Sequence, residues 1–209
     1  MKYIELSAIL RKNKLYLFTL RDIKNLFPME KEKTIKNSLL RWISKGYFNK
    51  LRKNVYEFIE QGSAVKIPDL FIANRLYEPS YVSLETALSI YSIIPDIAAG
   101  VTSVTAQATR MFKNRYGSFF YRSCKGKAFT GYKLIMYDGF KVNIADKEKA
   151  LVDFIYYRFR TGFSIDFGEE RLNKRLLKKL DWEKALYYAK LFNKKTFKAL
   201  KECKEYVRC

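Results

Sequence analysis

Residues 30–57, EKEKTIKNSLLRWISKGYFNKLRKNVYE, decide the fold of the amino-terminal part of this 209-residue chain. Over Glu30–Lys45 the large apolar side chains recur every three or four residues, which is the spacing of one buried helix face. They are Ile35, Leu39, Trp42 and Ile43. Gly46 is expected to end the helix, because glycine adopts the left-handed conformation at a helix end without steric cost.

Two short aromatic and β-branched runs follow this helix. Tyr47–Leu51 and Val55–Phe58 flank a polar turn at Arg52–Asn54, a pattern that predicts a β-hairpin with a cationic tip. The helix face opposite the apolar stripe carries cations, an amide and hydroxyls, at Lys33, Thr34, Asn37, Arg41 and Ser44. A helix and hairpin of this kind are typical of the winged helix-turn-helix, a DNA-binding module. The same pattern also fits an amphipathic helix and hairpin in another small fold.

The residues before this stretch complete the predicted module. Thr19 is a good N-cap, and Asp22 three residues later can return a hydrogen bond to it. Pro28 cannot continue a helix, so a turn is expected there. We predict three elements: a helix over Met1–Asn13 that buries Ile4, Ala8 and Leu10, a small strand or staple at Tyr16–Phe18, and a helix over Leu20–Phe27. The winged helix-turn-helix then covers residues 1–62, with Gln61–Ser63 as a linker.

The third helix of such a module lies in the major groove, where the edges of the four base pairs can be distinguished. We predict that Asn37 pairs with an adenine edge and that Arg41 reads guanine or holds a phosphate. Contacts that position the backbone are assigned to Lys33, Thr34 and Lys36, and contacts of the hairpin tip to Arg52, Lys53 and Asn54. Each of these side chains can equally be a solvated surface residue.

The charge of the chain favours a polyanionic partner. Its net charge is +20, from 41 basic and 21 acidic side chains. The excess is spread along the chain, at +8 in residues 1–62 and +6 in each of residues 63–160 and 161–209. Neutralisation of phosphates with counterion release is the physical basis of such binding. The alternative is a lysine-rich protein with a solvated surface.

Several classes of protein are disfavoured by composition. Histidine is absent, which excludes histidine-activated nucleophiles, histidine general bases and histidine metal ligands. Cys124, Cys203 and Cys209 form no CxxC pair and are typical of free thiols in a reducing cytosol. No apolar run reaches the roughly 20 residues of a membrane span, and Met1–Glu5 lacks the apolar core of a signal peptide. We therefore expect a cytoplasmic protein.

The middle of the chain, residues 63–160, is predicted to be an α+β domain with a small, mainly antiparallel sheet. Asp138–Gly139 is a strong hairpin turn, and Asp146 is placed to cap the helix that follows it. The predicted helices are Asp69–Tyr77, Ser83–Tyr91 and Lys147–Arg158, and the predicted strands are Val101–Thr105, Phe119–Arg122, Lys133–Tyr137 and Phe140–Ile144. Residues 161–209 are predicted to be a helical extension over Glu169–Leu180, Trp182–Phe192 and Thr196–Val207. This extension either packs on the second domain or adds backbone contacts to DNA.

Catalytic chemistry is not predicted. The carboxylates worth testing as a metal or catalytic site are Glu85, Asp138, Asp146, Glu148 and Asp153. Glu85 is explained by the first turn of its helix, and Asp146, Glu148 and Asp153 by helix capping, the helix dipole and a solvated face. The acid-x-lysine pattern of metal-dependent nucleases occurs only in helical surroundings, at Asp22–Lys24 and Glu202–Lys204. No glycine forms a nucleotide-binding motif, so we predict no enzyme, metal or cofactor.

Aromatic residues are numerous, with 16 tyrosines and 16 phenylalanines. Tyr156–Tyr157, Tyr187–Tyr188 and Phe119–Tyr121 can stack single-stranded bases, or they can pack in a core. An RNA-binding or RNA-processing protein is therefore the alternative to a DNA-binding one. A basic module that binds an acidic protein is the third possibility.

Five pieces of the chain, in this order and spacing, resemble the AbiEi family, the antitoxin and transcriptional-regulator components of type IV toxin–antitoxin systems. The pieces are Tyr81–Leu88, Ile94–Pro95, Val101–Thr105, Tyr116–Arg122 and Ile144–Asp153. With the winged module in front, the resemblance covers residues 1 to about 160. It implies a bacterial repressor of its own operon that protects against a nucleotidyltransferase-like toxin, typically without a stable complex. It implies no catalytic residues.

Overall fold

The computed structural model describes residues 1–60, 65–95, 99–124, 126–160 and 165–208. Its amino-terminal part contains three helices and a three-stranded antiparallel sheet with strand order β1-β3-β2. The elements in chain order are α1 (Tyr3–Lys12), β1 (Leu17–Thr19), α2 (Leu20–Leu26), α3 (Glu32–Ser44), β2 (Phe48–Arg52) and β3 (Val55–Phe58). The predicted linker, Gln61–Ser63, lies outside the described residues.

The predicted stripe of α3 is buried. Ile35, Leu39 and Trp42 are 0%, 1% and 6% exposed and belong to one cluster with residues of α1, α2 and the small sheet, whereas Ile43 is only half-buried. Gly46 follows the helix with a φ of 75°, the left-handed conformation expected there. The cap of α2 is also confirmed, because the Asp22 amide donates to Thr19 Oγ1 at 3.1 Å and the Thr19 amide donates to Asp22 at 2.7 Å.

The prediction for the buried face of α1 was wrong in part. Leu10 is buried as predicted, but Ile4 is 78% exposed and Ala8 is exposed too. The face that meets the core carries Leu6 and Leu10, one turn apart. Since residues 4 and 8 are offset from residue 6 by two positions, they project to the opposite side of the helix.

A six-stranded sheet with strand order β6-β7-β5-β4-β9-β8 forms the middle of the molecule. Its pairings are antiparallel except for β4–β9 and β5–β7, which are parallel. The elements are α4 (Asp69–Leu76), β4 (Ser80–Val82), α5 (Leu84–Ile90), β5 (Val101–Thr105), β6 (Arg110–Asn114), β7 (Gly117–Ser123), β8 (Tyr132–Tyr137), β9 (Phe140–Ala145) and α6 (Lys147–Arg160). The sheet is mainly antiparallel as predicted, but it is larger than predicted because β4 and β6 were not foreseen.

The hairpin turn at Asp138–Gly139 is confirmed. Tyr137 pairs with Phe140, and both turn residues have positive φ, 46° and 80°. These angles are those of the type I′ turn, whose twist matches that of the flanking strands.

The amino-terminal part contacts the middle part through a buried glutamate. Glu57 of β3 is 4% exposed and accepts hydrogen bonds from Asn49 at 3.0 Å, from Arg115 at 2.8 Å and from the Tyr116 hydroxyl. Its Arg115 and Tyr116 partners lie in the turn between β6 and β7. This contact fixes the position of the small sheet, and therefore of α3, relative to the large sheet.

Three helices follow α6 among the described residues: α7 (Lys174–Leu177), α8 (Trp182–Phe192) and α9 (Lys194–Arg208). The predicted helix over Glu169–Leu180 was wrong, because only the single turn of α7 forms there. Arg171 has a φ of 51°, which interrupts a helix, and Asn173 caps α7 by accepting from the Leu176 amide at 3.2 Å. Helices α8 and α9 pack on α6. None of the helices in the described residues is long and apolar enough to cross a membrane.

Candidate nucleic-acid interface

The outer flank of α3 is open to solvent along its length. Lys33, Thr34, Lys36, Asn37 and Arg41 are all exposed, and the buried stripe lies on the opposite side of the same helix. A helix of 13 residues is about 20 Å long. The chain therefore presents a strip of cations, an amide and a hydroxyl that no other described element covers.

The members of this strip differ in how far they are engaged with the protein. Lys36 forms an ion pair with Glu32 one turn earlier, and this pair lowers the pKa of the Glu32 carboxyl. Arg41 lies 3.5 Å from Ser38 Oγ, a weak hydrogen bond at most. Neither Lys33 nor Asn37 has a hydrogen bond or ion pair to another of the described side chains. Most donors of Lys33, Asn37 and Arg41 are thus open to solvent.

The tip of the β2–β3 hairpin is a two-residue turn. Lys53 and Asn54 are exposed, and Asn54 has a φ of 63°, which asparagine tolerates better than most residues. Both side chains remain candidates for contact with a ligand.

Arg52, the third residue predicted at the hairpin tip, is half-buried and already has partners within the protein. Its Nε donates to the carbonyl of Leu76, and its guanidinium lies 5.2 Å from the ring centroid of Phe112 and 5.9 Å from that of Tyr77. Partial burial lowers its pKa from the usual value. Arg52 therefore anchors the hairpin to the middle part of the molecule.

A cleft of about 750 Å³ adjoins the start of α3. Asn54 of the hairpin tip and Glu32 of α3 both line it, which places the tip and the amino end of α3 on the same side of the molecule. The cleft also contains Arg21, an exposed residue at the start of α2 that sequence reasoning missed. The sequence did indicate that Arg21 is exposed, because it lies between Leu20 and Ile23, the apolar residues of an amphipathic helix.

Two further cations of this cleft are structural. Lys24 donates to the carbonyls of Pro28 at 2.8 Å and Glu30 at 2.6 Å, and so closes the turn between α2 and α3. Arg75 of α4 bridges Asp22 at 3.1 Å and Glu78 at 2.7 Å. These contacts hold α2, α3 and α4 around the cleft.

Asp153 of α6 is not on a solvated face, and that prediction was wrong. Asp153 and Lys149 are both 0% exposed and form an ion pair one turn apart on α6. Asp153 also accepts from Ser83 Oγ at 2.8 Å and from the Tyr81 hydroxyl at 3.1 Å. Burial raises the pKa of Asp153, an effect that Lys149 and the two hydroxyl donors oppose.

Among the other candidate carboxylates, Asp146 and Glu148 share one cation, the ammonium of Lys184, at 2.9 and 3.7 Å. Asp146 caps α6 by accepting from the Lys149 amide at 2.7 Å, as predicted, and it also accepts from the Tyr188 hydroxyl at 2.9 Å. Glu148 accepts from the amide of Asp181 at 3.2 Å. Within the described parts of the chain, no group of three or more carboxylates and cysteines is placed to hold a metal ion. Asp146, Glu148 and Asp153 therefore all have structural contacts.

A scan against models of known protein families finds no match to this chain, and a search of curated proteins finds none either.

Proposed function

We propose that the chain is a sequence-specific DNA-binding repressor. In this proposal α1–α3 and the β2–β3 hairpin act as a winged helix-turn-helix, and α3 enters the major groove. The observation that supports it most is the open flank of α3, because its donors have few protein partners while Ile35, Leu39 and Trp42 on the other side are buried. A helix of about 10–12 Å diameter fits the major groove.

The residues of the interface then divide into two roles. Asn37 is suited to the adenine edge and Arg41 to guanine or a phosphate, because amide and guanidinium groups make bidentate hydrogen bonds there. Lys33 and Lys36 hold phosphates on either side of the groove, and Thr34 donates to the backbone. Lys53 and Asn54 of the hairpin tip, together with Arg21 across the cleft, contact the backbone or minor groove next to it.

Binding of duplexes by the full-length chain tests this function. We compare the duplex upstream of its own gene with a scrambled duplex of equal length and composition, at physiological salt. The promoter duplex is expected to bind about 10³-fold or more tightly. Lys33→Ala, Asn37→Ala and Arg41→Ala combined should remove most of that preference, since each good base contact contributes roughly 1–3 kcal/mol of discrimination.

A charge-matched variant controls for the loss of two cations. Lys178 and Lys179 are exposed residues that follow α7, and their replacement by alanine removes the same net charge far along the chain from α3. This control should bind both duplexes like the wild type. Equal affinity of the wild type for promoter and scrambled duplex would refute the repressor.

The antitoxin role is the second part of the proposal and rests on the resemblance to the AbiEi family. We propose that the protein represses its own operon and counters a nucleotidyltransferase-like toxin without forming a stable complex. A reading frame for such an enzyme next to the gene, with growth restored when both are expressed, is the expected result. Growth arrest that this chain does not relieve would contradict the antitoxin role and leave the repressor untouched.

A further inference from the structure

A second cleft, of about 570 Å³, lies where α6 meets the corner between α8 and α9. One wall is the end of β7 and the turn after it, with Ser123, Cys124 and Ala128. The other walls are Tyr156 of α6 and the pair Phe192–Asn193 at the end of α8. This volume lies within the range of ligand-binding pockets, roughly 300–1,000 Å³.

Aromatic rings form the inner side of this cleft. The ring centroids of Tyr156 and Phe192 are 4.2 Å apart, with an angle of 32° between the ring planes. Both side chains are only half-buried, so part of each ring meets solvent. Half-exposed aromatic rings in a cleft are the platforms on which proteins stack unpaired bases.

Two of the segments that form the walls carry positive charge only, and Asp153, the acidic residue of α6 one turn before Tyr156, is fully buried against Lys149. Residues 122–128 contain three cations and residues 190–201 contain five, and neither segment contains an acidic residue. Lys127 and Lys194 directly adjoin the lining residues Ala128 and Asn193, and both lysines are exposed. The cleft is therefore bordered by positive charge on both sides.

From these observations we infer that the cleft binds a single-stranded nucleic acid, separately from the proposed duplex site on α3. The charge of the walls is complementary to a phosphate backbone, and the solvent-exposed part of the paired Tyr156 and Phe192 rings is suited to stacking one base. A duplex has its bases stacked inside and offers only backbone to such a cleft. Such a site involves Tyr156 and the basic corner between α8 and α9, neither of which takes part in the proposed binding of duplex DNA.

Fluorescence anisotropy with the full-length chain tests this inference. The probes are 12-nucleotide single strands of one mixed sequence, made as RNA and as DNA and labelled with fluorescein. Lys194→Gln with Lys195→Gln is expected to weaken binding of the strand about tenfold, and to reduce the salt slope by about 1.4 for two lost phosphate contacts. Tyr156→Leu should weaken binding about fivefold or more, through the lost stacking.

Matched variants separate this site from the duplex site. Lys178→Gln with Lys179→Gln removes the same charge from exposed positions of the tail and should bind the strand like the wild type. The Lys33, Asn37 and Arg41 triple variant should lose the promoter duplex and keep the single strand. The Lys194/Lys195 and Tyr156 variants should lose the single strand and keep the promoter duplex. A negative result at one site therefore does not affect the conclusion about the other.

A comparison of the RNA strand with the DNA strand shows which kind of nucleic acid the cleft prefers. Tighter binding of the RNA strand indicates contacts to the 2′-hydroxyl, and equal binding indicates recognition of backbone and bases alone. Either result supports the cleft if the Lys194/Lys195 variant weakens it. Unchanged binding by that variant, loss of the strand in the α3 variant, or no binding of either strand at micromolar protein would overturn the inference.

Discussion

Loss of one member of the buried Lys149–Asp153 pair is expected to destabilise the fold by about 3–5 kcal/mol, because the remaining charge has no compensating partner in the interior. Both side chains are 0% exposed. Lys149→Met leaves the Asp153 carboxylate with its two hydroxyl donors, Ser83 and Tyr81. The cost of this variant should therefore lie near the lower end, about 3 kcal/mol.

Asp153→Ala should cost more. It leaves a buried ammonium without its carboxylate, and it removes the acceptor of two hydroxyl groups. An unsatisfied buried hydroxyl costs about 1–3 kcal/mol, so we expect about 5 kcal/mol for this variant. For a chain of this size each kcal/mol lowers the melting temperature by roughly 2–4 °C, which predicts a decrease of about 10–20 °C.

Urea unfolding followed by circular dichroism measures these costs. Lys147→Met, at an exposed position of the same helix, is the control and should stay within about 0.5 kcal/mol of the wild type. The double variant Lys149→Met/Asp153→Ala removes both charges, and its cost should fall below the sum of the singles by at least about 2 kcal/mol. Single variants within 1 kcal/mol of the wild type, or strictly additive costs, would refute the reasoning.

Three further predictions concern thiols, phenols and packing. Burial raises the pKa of Cys124 to about 11 and of Cys203 to about 12. Neither thiol should therefore react with iodoacetamide at pH 8 until urea unfolds the chain. Mass spectrometry of the peptides measures which cysteines are alkylated. Burial, with the nearby Asp146, raises the pKa of Tyr188 to about 12. Because the unfolded chain loses that proton near pH 10, the free energy of unfolding should fall between pH 10 and 12. In thermal melts over this pH range, Tyr188→Phe should make the fall shallower. Leu6→Ala should cost about 2–5 kcal/mol in urea unfolding, whereas Ile4→Lys should cost less than 1 kcal/mol; similar costs would contradict the orientation of α1.

The predictable parts of the fold were those set by local chemistry. The stripe of α3, its end at Gly46, the reciprocal cap of Thr19 and the turn at Asp138–Gly139 each depend on neighbouring residues alone. The pairing of β4 with β9 was not predictable, because it joins a three-residue strand to a distant one. Pairings of that kind are decided by packing of the whole sheet rather than by local sequence.

The wrong prediction for Asp153 also arose because local sequence does not show how a helix is packed in the whole fold. Asp153 was taken for a surface residue, but α6 is buried on most sides, with Ala150–Ile155 at or below 2% exposed. A helix buried all round must pair its charged residues internally, and the four-residue spacing from Lys149 was the signal for that pair. The contact of Arg52 with Leu76 was not predictable either, because it joins two distant parts of the chain, which the sequence of the hairpin does not reveal.

The buried side of α3 holds the residues of the proposed interface in a fixed orientation. Because Ile35, Leu39 and Trp42 are locked in the core, and Glu57 ties the small sheet to the large one, α3 is held as a rigid element. Donors on a rigid helix reach a groove with little loss of conformational entropy on binding.

Binding of the promoter and scrambled duplexes by the single variants Lys33→Ala and Asn37→Ala, measured over a range of salt, tests the central claim most directly. Lys33→Ala should weaken both duplexes equally and reduce the salt slope by about 0.9, the value for one phosphate contact. Asn37→Ala should weaken only the promoter duplex, by roughly 1–3 kcal/mol, and leave the slope unchanged. If neither variant alters the affinity for either duplex, α3 does not bind DNA.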